Sequence, residues 1–218
     1  MIKLCIFDMD GTLVNTIDTI SYFGNTTLEN FGIEPIPTEN YKRLVGNGSR
    51  VLIERMLEFR GAKPDNIDEI HKWYMNKYDN DFMYLTCAYD GIIPMLKALK
   101  DAGVKTAILS NKDDVTAKKV ADELFEEGLI DLCLGAREGR ALKPDPESVF
   151  EIVEEFGVAR AECIYIGDTA TDIETAKNAG LYSIGVLWGF RDEDELRNAG
   201  ADMIISDPME IADFAKNR

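Results

Sequence analysis

Two aspartates separated by one residue follow the first apolar run of the chain. Residues 2–7 predict a buried strand, and Asp8 and Asp10 come directly after it. Carboxylates at a buried strand end are costly, and they repel each other, unless a cation compensates their charge. Gly11 lets the backbone turn sharply away from the strand and leaves both acids at the edge of a crevice. The pattern therefore predicts a metal-binding, reactive site.

Further polar residues follow later apolar runs, and their types suit the binding of a metal ion or a phosphate. They are Ser110 and Asn111 after residues 105–109, Lys143 in the loop after residues 130–134, and Asp168 and Asp172 after residues 163–166. The carboxyl ends of parallel strands lie at one edge of a sheet, so we expect these side chains to meet there. Carboxylates with a lysine, a hydroxyl and loop amides suit Mg²⁺ together with a phosphate group.

Short apolar runs alternate with amphipathic stretches from residue 91 onward, which is typical of βαβ units. The predicted strands are 2–7, 105–109, 130–134, 163–166, 183–187 and 203–205, and the predicted helices are 92–102, 114–126, 146–156, 172–179 and 208–216. Strands that alternate with helices favour an α/β fold, in which helices cover both faces of a parallel sheet.

Residues 15–85 depart from this alternation. Apolar side chains recur there at intervals of three and four residues, and no segment predicts a strand. We therefore predict an all-helical insert at 15–85 within a main domain formed by 1–14 and 86–218. Because the insert leaves the main domain beside the two aspartates, it could act as a lid over the site.

Acidic residues outnumber basic ones by 40 to 24, which gives a net charge of -16. This charge argues against nucleic acid or an anionic membrane as the main partner. The four cysteines are far apart and there is one histidine, so neither a disulfide framework nor a zinc site is indicated. The first apolar run is too short for a signal peptide, and no stretch is long enough to span a bilayer. We expect a cytoplasmic protein, either a monomer or a homodimer.

Four segments together resemble the haloacid dehalogenase (HAD) superfamily of phosphohydrolases. They read DMDGTL, ILSNK, LKPDP and GDTATD, in that order along the chain. Two longer segments, LVGNGSRVLIERML and GDTATDIETAKNAGL, are similar to the phosphoglycolate phosphatase branch. The resemblance covers nearly the whole chain. It implies a Rossmann-like core with an inserted helical cap, and Mg²⁺-dependent hydrolysis of a small phosphorylated metabolite such as 2-phosphoglycolate.

The same resemblance implies a role for each site residue. Asp8 would be the nucleophile that becomes a transient aspartyl phosphate, and Asp10 would be the general acid and base. Ser110, Asn111 and Lys143 would bind the phosphate. The metal would be held by Asp8, by the backbone carbonyl of Asp10 and by two further acids, Asp168 and Asp172. Asp172 would act through water or by orienting Lys143.

Alternative functions remain compatible with the sequence, and several residues have more than one interpretation. A phosphosugar mutase, a pyrophosphatase, a nucleotidase or a non-catalytic binding module could use the same scaffold. The family commonly has an aspartate where this chain has Asn15. Arg50 and His71, in the predicted insert, are interpreted as a solvated charge and a structural histidine. Residues 188–190 either line the mouth of the crevice or pack under a loop.

Overall fold

The computed structural model describes all 218 residues, which form two compact units. The first, here called the sheet unit, comprises Met1–Asn15 and Ala88–Arg218. The second, the helical unit, comprises Thr16–Cys87. That the helical unit acts as a cap, with the boundaries predicted above, stays a prediction.

Eight strands form two sheets. They are β1 (Leu4–Phe7), β2 (Val14–Asn15), β3 (Cys87–Ala88), β4 (Lys105–Asp113), β5 (Leu132–Ala136), β6 (Cys163–Gly167), β7 (Tyr182–Val186) and β8 (Met203–Ile205). The main sheet has six strands in the order β5-β4-β1-β6-β7-β8, and each neighbouring pair is parallel. Strands β2 and β3 pair separately. The predicted α/β class with a parallel sheet is confirmed.

Ten α-helices and one 3₁₀ turn complete the chain. They are α1 (Ile17–Asn30), α2 (Thr38–Leu44), α3 (Ser49–Phe59), α4 (Ile67–Asn80), α5 (Ile92–Asp101), α6 (Asp114–Leu124), α7 (Glu147–Phe156), α8 (Ala170–Ala179), α9 (Glu193–Ala199) and α10 (Met209–Asn217), with the 3₁₀ turn at Arg160–Glu162. No helix among them combines the length and the hydropathy that crossing a bilayer requires.

Burial on both faces explains the continuous apolar character of the central strands. Leu4 and Ile6 of β1 belong to a core cluster that also contains Val149 and Ile152 of α7. Successive side chains of a strand lie on opposite faces, and Cys5, between them, is fully buried as well. A strand that is covered on both faces needs apolar residues at every position, which is why β1 lacks the alternation of a half-exposed strand.

The structure corrects two predicted strands and adds a helix. Strand β4 was expected to end at residue 109 but continues to Asp113, with an irregular register against β5 after Leu109. Strand β5 begins at Leu132, two residues later than predicted. Helix α9 was not predicted, because its seven residues are mostly charged and only Leu196 is buried. Its start is fixed instead by the Asp192 side chain, which accepts a hydrogen bond from the Glu195 amide at 3.0 Å.

The strand order places β1 between β4 and β6, which follow it at different points of the chain. The chain runs from β1 to β4 and β5 on one side, and then returns to build β6, β7 and β8 on the other. This reversal leaves a crevice outside the carboxyl end of β1, where open α/β sheets bind their ligands.

Helices α1–α4 form the helical unit, and its core contains large aromatic side chains. Tyr41 is fully buried, and its hydroxyl donates to Asn25 Oδ1 at 2.9 Å. A Cβ atom at Gly24 would lie 2.5 Å from that hydroxyl oxygen. Glycine is therefore required at this point of α1, although it is otherwise unfavourable inside a helix.

Candidate active site

Asp8 is the first residue after β1, and its position is fixed by the sheet. Its amide donates to the Ile166 carbonyl of β6 at 2.9 Å, and its side chain is buried. The next residues turn tightly, with the Leu13 and Val14 amides donating to the Met9 carbonyl. Gly11 has φ +94° in this turn, and a Cβ there would lie 2.4 Å from Asp168 Oδ2. Only glycine satisfies both the backbone angle and this close approach.

Lys143 lies in the loop between β5 and α7, and its ammonium group reaches the centre of the site. Its Nζ atom is 2.7 Å from Asp8 Oδ1 and 2.7 Å from Asp172 Oδ1, and the side chain is buried. Burial alone would lower the pKa of Lys143. The charges of Asp172 and Asp8 outweigh that effect and raise the pKa of Lys143 well above its usual value, so the lysine stays protonated.

Three buried carboxylates lie together here, and Lys143 pairs with two of them. Ligand oxygens of Asp8, Asp168 and Asp172 all lie within 4.8 Å of one another. Burial, followed by the charge of Asp172, raises the pKa of Asp8 well above its usual value, although Lys143 opposes the rise. Burial and Asp172 also raise the pKa of Asp168 to about 7. The protein alone therefore leaves a surplus of negative charge at this point.

Asp168 follows β6 and is held by groups from two other segments. Its Oδ1 atom accepts from the Thr12 hydroxyl at 3.1 Å, and its Oδ2 atom accepts from the Phe190 amide at 2.8 Å. The Trp188 indole donates to the Thr12 carbonyl at 2.9 Å, which ties the two segments together. The segment at 188–190 therefore positions Asp168, a role that the sequence analysis did not identify.

Asp172 lies in the first turn of α8 and uses its two oxygens differently. Its Oδ2 atom accepts from the Thr169 hydroxyl at 2.7 Å and from the Thr169 amide at 3.1 Å, which forms a capping box at the helix start. Its Oδ1 atom bonds Lys143. Asp172 thus orients the lysine from a rigid helix end. The missed residue here is Thr169, and the T-x-x-D pattern in the sequence could have identified it.

Ser110 and Asn111 lie within β4, not after it as predicted, but both are buried near its carboxyl end. The Asn111 side chain binds both backbone groups of Lys143: its Oδ1 accepts from the Lys143 amide at 2.9 Å, and its Nδ2 donates to the Lys143 carbonyl at 3.3 Å. In this structure Asn111 therefore fixes the loop that carries the lysine. Its predicted contact with phosphate stays a prediction.

Asp10 is partly buried and pairs with a lysine that the sequence analysis did not single out. Lys112 Nζ is 2.9 Å from Asp10 Oδ2. A signal was available, because Lys112 directly follows Ser110 and Asn111 in the ILSNK segment that carries the family resemblance.

The donor set fits a hard divalent cation. The three clustered side chains offer only carboxylate oxygens, which Mg²⁺ prefers, and their surplus negative charge is what a divalent ion would neutralise. The raised pKa values of Asp8 and Asp168 are the observation that supports this fit, because crowded carboxylates bind protons when no other cation compensates them.

The helical unit contains a small cluster of charged side chains around Arg50. Arg50 Nε pairs with Glu54 at 3.1 Å and its guanidinium also contacts Asp68, all on exposed side chains. His71 Nε2 lies 2.8 Å from the Ser49 hydroxyl. Burial, and then Arg50, lower the pKa of His71. These contacts are those expected of solvated charges and a structural histidine.

The chain is similar to several known proteins. The family model described as "Haloacid dehalogenase-like hydrolase" matches residues 5–186. A phosphoglycolate phosphatase of Aquifex aeolicus is 31% identical over 99% of this chain and 97% of its own length. A solved structure from Lactobacillus delbrueckii, named as a candidate phosphoglycolate phosphatase, is 30% identical, covers 98% of both chains and has a TM-score of 0.92. An N-acetylmuramic acid 6-phosphate phosphatase of Pseudomonas aeruginosa is 26% identical over 97% of this chain and 94% of its own length.

The chain therefore belongs to the haloacid dehalogenase-like hydrolases. Within the family it is a phosphoglycolate phosphatase-like enzyme, a phosphoric monoester hydrolase.

Proposed function

We propose that this enzyme is a Mg²⁺-dependent phosphatase that hydrolyses 2-phosphoglycolate through an aspartyl-phosphate intermediate. The observation that carries the proposal is the buried ammonium group of Lys143, 2.7 Å from both Asp8 and Asp172. A lysine bound to a nucleophile in a water-poor crevice provides the positive charge that an anionic substrate needs, in a protein whose net charge is -16. The name of the Aquifex aeolicus relative supports 2-phosphoglycolate as the substrate.

Asp8 is the proposed nucleophile. One of its oxygens pairs with Lys143, which orients the carboxylate and balances part of its charge as a phosphate approaches. An oxygen of Asp8 forms a bond to phosphorus while the bond from phosphorus to the ester oxygen breaks. Lys143 and the Ser110 hydroxyl then bind oxygens of the transferring phosphoryl group, whose charge spreads over them in the transition state.

Asp10 is the proposed general acid and base. In the first step its carboxyl group gives a proton to the departing alkoxide, so that glycolate leaves as an alcohol. In the second step the same carboxylate takes a proton from water, which attacks the aspartyl phosphate and releases inorganic phosphate. The close spacing of Asp10 and Asp8, two residues apart in the turn that follows β1, supports their action on one substrate.

Asp8, Asp168, Asp172 and the backbone carbonyl of Asp10 are the proposed metal ligands, with Asp172 acting through water or by orienting Lys143. When bound, Mg²⁺ supplies positive charge that brings the anionic nucleophile and the phosphate together. We further propose that the helical unit is a cap that selects the substrate, and that the enzyme acts in the cytoplasm as a monomer or a homodimer.

A substrate panel with and without Mg²⁺ tests the proposal. It contains 2-phosphoglycolate, N-acetylmuramic acid 6-phosphate, a nucleoside monophosphate, glucose 1-phosphate and pyrophosphate, each assayed for released phosphate with Mg²⁺ and with EDTA. We expect the highest kcat/KM on 2-phosphoglycolate and loss of turnover in EDTA. A higher value on another ester would overturn the substrate, and full turnover in EDTA would overturn the metal requirement.

A further inference from the structure

The side chain of Asp10 has an ion-pair partner for which the reaction above has no role. Lys112 Nζ lies 2.9 Å from Asp10 Oδ2, and the lysine side chain is only 8% exposed. Long lysine side chains lose considerable conformational freedom when they are fixed, and most remain in solvent. A lysine ordered in this way beside the proposed general acid is therefore a candidate for a role in the reaction.

The backbone on the Lys112 side of the pair is firmly held. The Lys112 amide donates to the Ser110 hydroxyl oxygen at 3.1 Å. Its carbonyl packs so closely against Gly135 that a Cβ there would lie 2.6 Å from the carbonyl oxygen. The Gly135 amide in turn donates to Asp114 Oδ1 at 2.9 Å. The ammonium group of Lys112 thus extends from a fixed point near the end of β4.

The backbone of Asp10 is also held, by the turn after β1. The Gly11 amide donates to the Val14 carbonyl at 2.9 Å, and Asp10 forms a backbone bridge with Val14. A charged partner on one oxygen of the Asp10 carboxylate favours one orientation of the other oxygen.

The two lysines of the site serve different carboxylates. Lys143 binds Asp8 and Asp172, whereas Lys112 binds Asp10. Asp8, the proposed nucleophile, and Asp10, the proposed proton donor, therefore pair with different lysines.

We propose that Lys112 is a positioning residue that holds the carboxyl group of Asp10 in line with the leaving-group oxygen. This inference rests on the proposed function, because it assigns Lys112 a part in the proton transfer from Asp10. Bond breaking to the leaving group is far advanced in phosphoryl transfer, so a poor leaving group needs its proton early. A leaving group that departs as a stable anion needs none.

Leaving-group dependence tests the proposal. Lys112→Met removes the ammonium group but keeps the length of the side chain and the backbone bond to Ser110. We expect its kcat/KM to fall about 10- to 100-fold on the alkyl phosphate that the wild type hydrolyses fastest, and less than about threefold on p-nitrophenyl phosphate. Lys112→Arg should recover much of the loss on the alkyl ester.

A matched control is available on helix α5. Lys97 pairs with Glu126 at 2.8 Å on the surface, so Lys97→Met removes an ion pair of similar length outside the site. We expect it to retain wild-type kcat/KM on both substrates. In the Asp10→Asn background, Lys112→Met should cause no further loss on the alkyl ester, because the group that it positions no longer carries the proton.

Several results would overturn the proposal. They are an equal loss on both substrates, no loss on the alkyl ester, or an additive loss in the double variant. If Lys112→Met does not fold, Lys112→Gln is assayed in the same way. Failure of the proposed function has a different signature, namely full turnover by Asp8→Asn or no hydrolysis of any ester by the wild type.

Discussion

Each unit of the molecule contains a cluster of acidic and basic side chains, and the two clusters differ in burial. In the sheet unit, the side chains of Lys143, Asp8 and Asp172 are 3%, 10% and 0% exposed. In the helical unit, those of Arg50, Glu54 and Asp68 are 43%, 49% and 92% exposed. Burial raises the pKa of Asp8 in the first cluster and of Asp168 beside it.

Solvent explains the contrast. Exposed ion pairs are screened and contribute little, whereas buried charges interact strongly and must be balanced. The buried cluster has three carboxylates for one ammonium group, an imbalance that would be costly unless a ligand with positive charge compensates it. The helical-unit cluster has no such requirement. Burial with unequal charge, not the presence of charged residues, marks the reactive site.

The largest expected effect is the loss of the nucleophile. Asp8→Asn keeps the shape of the side chain but removes its nucleophilicity, so we expect kcat to fall by about 10⁴-fold or more. Phosphate release and circular dichroism measure turnover and folding in the same preparation. The control is Asp68→Asn, which makes the same exchange in the exposed cluster and should retain full turnover. Folded Asp8→Asn with full activity would remove the nucleophile assignment.

Removal of the buried lysine should affect stability as well as activity. Lys143→Met leaves Asp8 and Asp172 without their common partner, so we expect the free energy of unfolding without metal to fall by about 3 to 5 kcal/mol. Urea unfolding with and without Mg²⁺ measures this change, and turnover should be lost in both conditions. Because an added cation replaces part of the missing charge, Mg²⁺ should stabilise this variant more than the wild type. An unchanged unfolding midpoint would contradict the charge imbalance.

Stabilisation by Mg²⁺ should depend on pH. In the metal-free protein the pKa of Asp168 is raised to about 7, so protons compete with the metal increasingly as pH falls through 7. The stability of the metal-free protein should change with pH in the opposite direction. Its free energy of unfolding should fall as pH rises from about 4 to 7, since Asp168 then ionises among other carboxylates. Thermal unfolding at pH 6, 7 and 8, with and without Mg²⁺, should show the shift in Tm growing with pH. An equal shift in Tm at all three pH values would contradict this prediction.

The smallest effect is expected in the exposed cluster. Arg50→Met removes the pairs with Glu54 and Asp68, which are screened by solvent. We expect no resolvable change in Tm and no change with added salt. A selective rise in KM for 2-phosphoglycolate would show instead that Arg50 binds the substrate, and the contrast between the clusters would then fail.

Local sequence patterns predicted much of the fold because burial acts on each segment separately. The continuous apolar character of β1 and β6 predicted central strands, and the aspartates that follow them predicted where those strands end. The patterns failed where local signals were weak or mixed. Polar Ser110 and Asn111 concealed the continuation of β4, and the charged residues of α9 concealed a short helix that packs through Leu196.

The amino-acid order alone is sufficient to predict the succession of the strands, the residue types at their ends and the resemblance to a family of phosphohydrolases. The folded structure was needed to show that Lys143 bridges Asp8 and Asp172, that Asn111 holds the loop of that lysine, and that Lys112 pairs with Asp10. The two kinds of information differ because the underlying interactions differ in range. Strand formation and turns depend on neighbouring residues, whereas these contacts join segments that meet only when the sheet has assembled in its particular strand order.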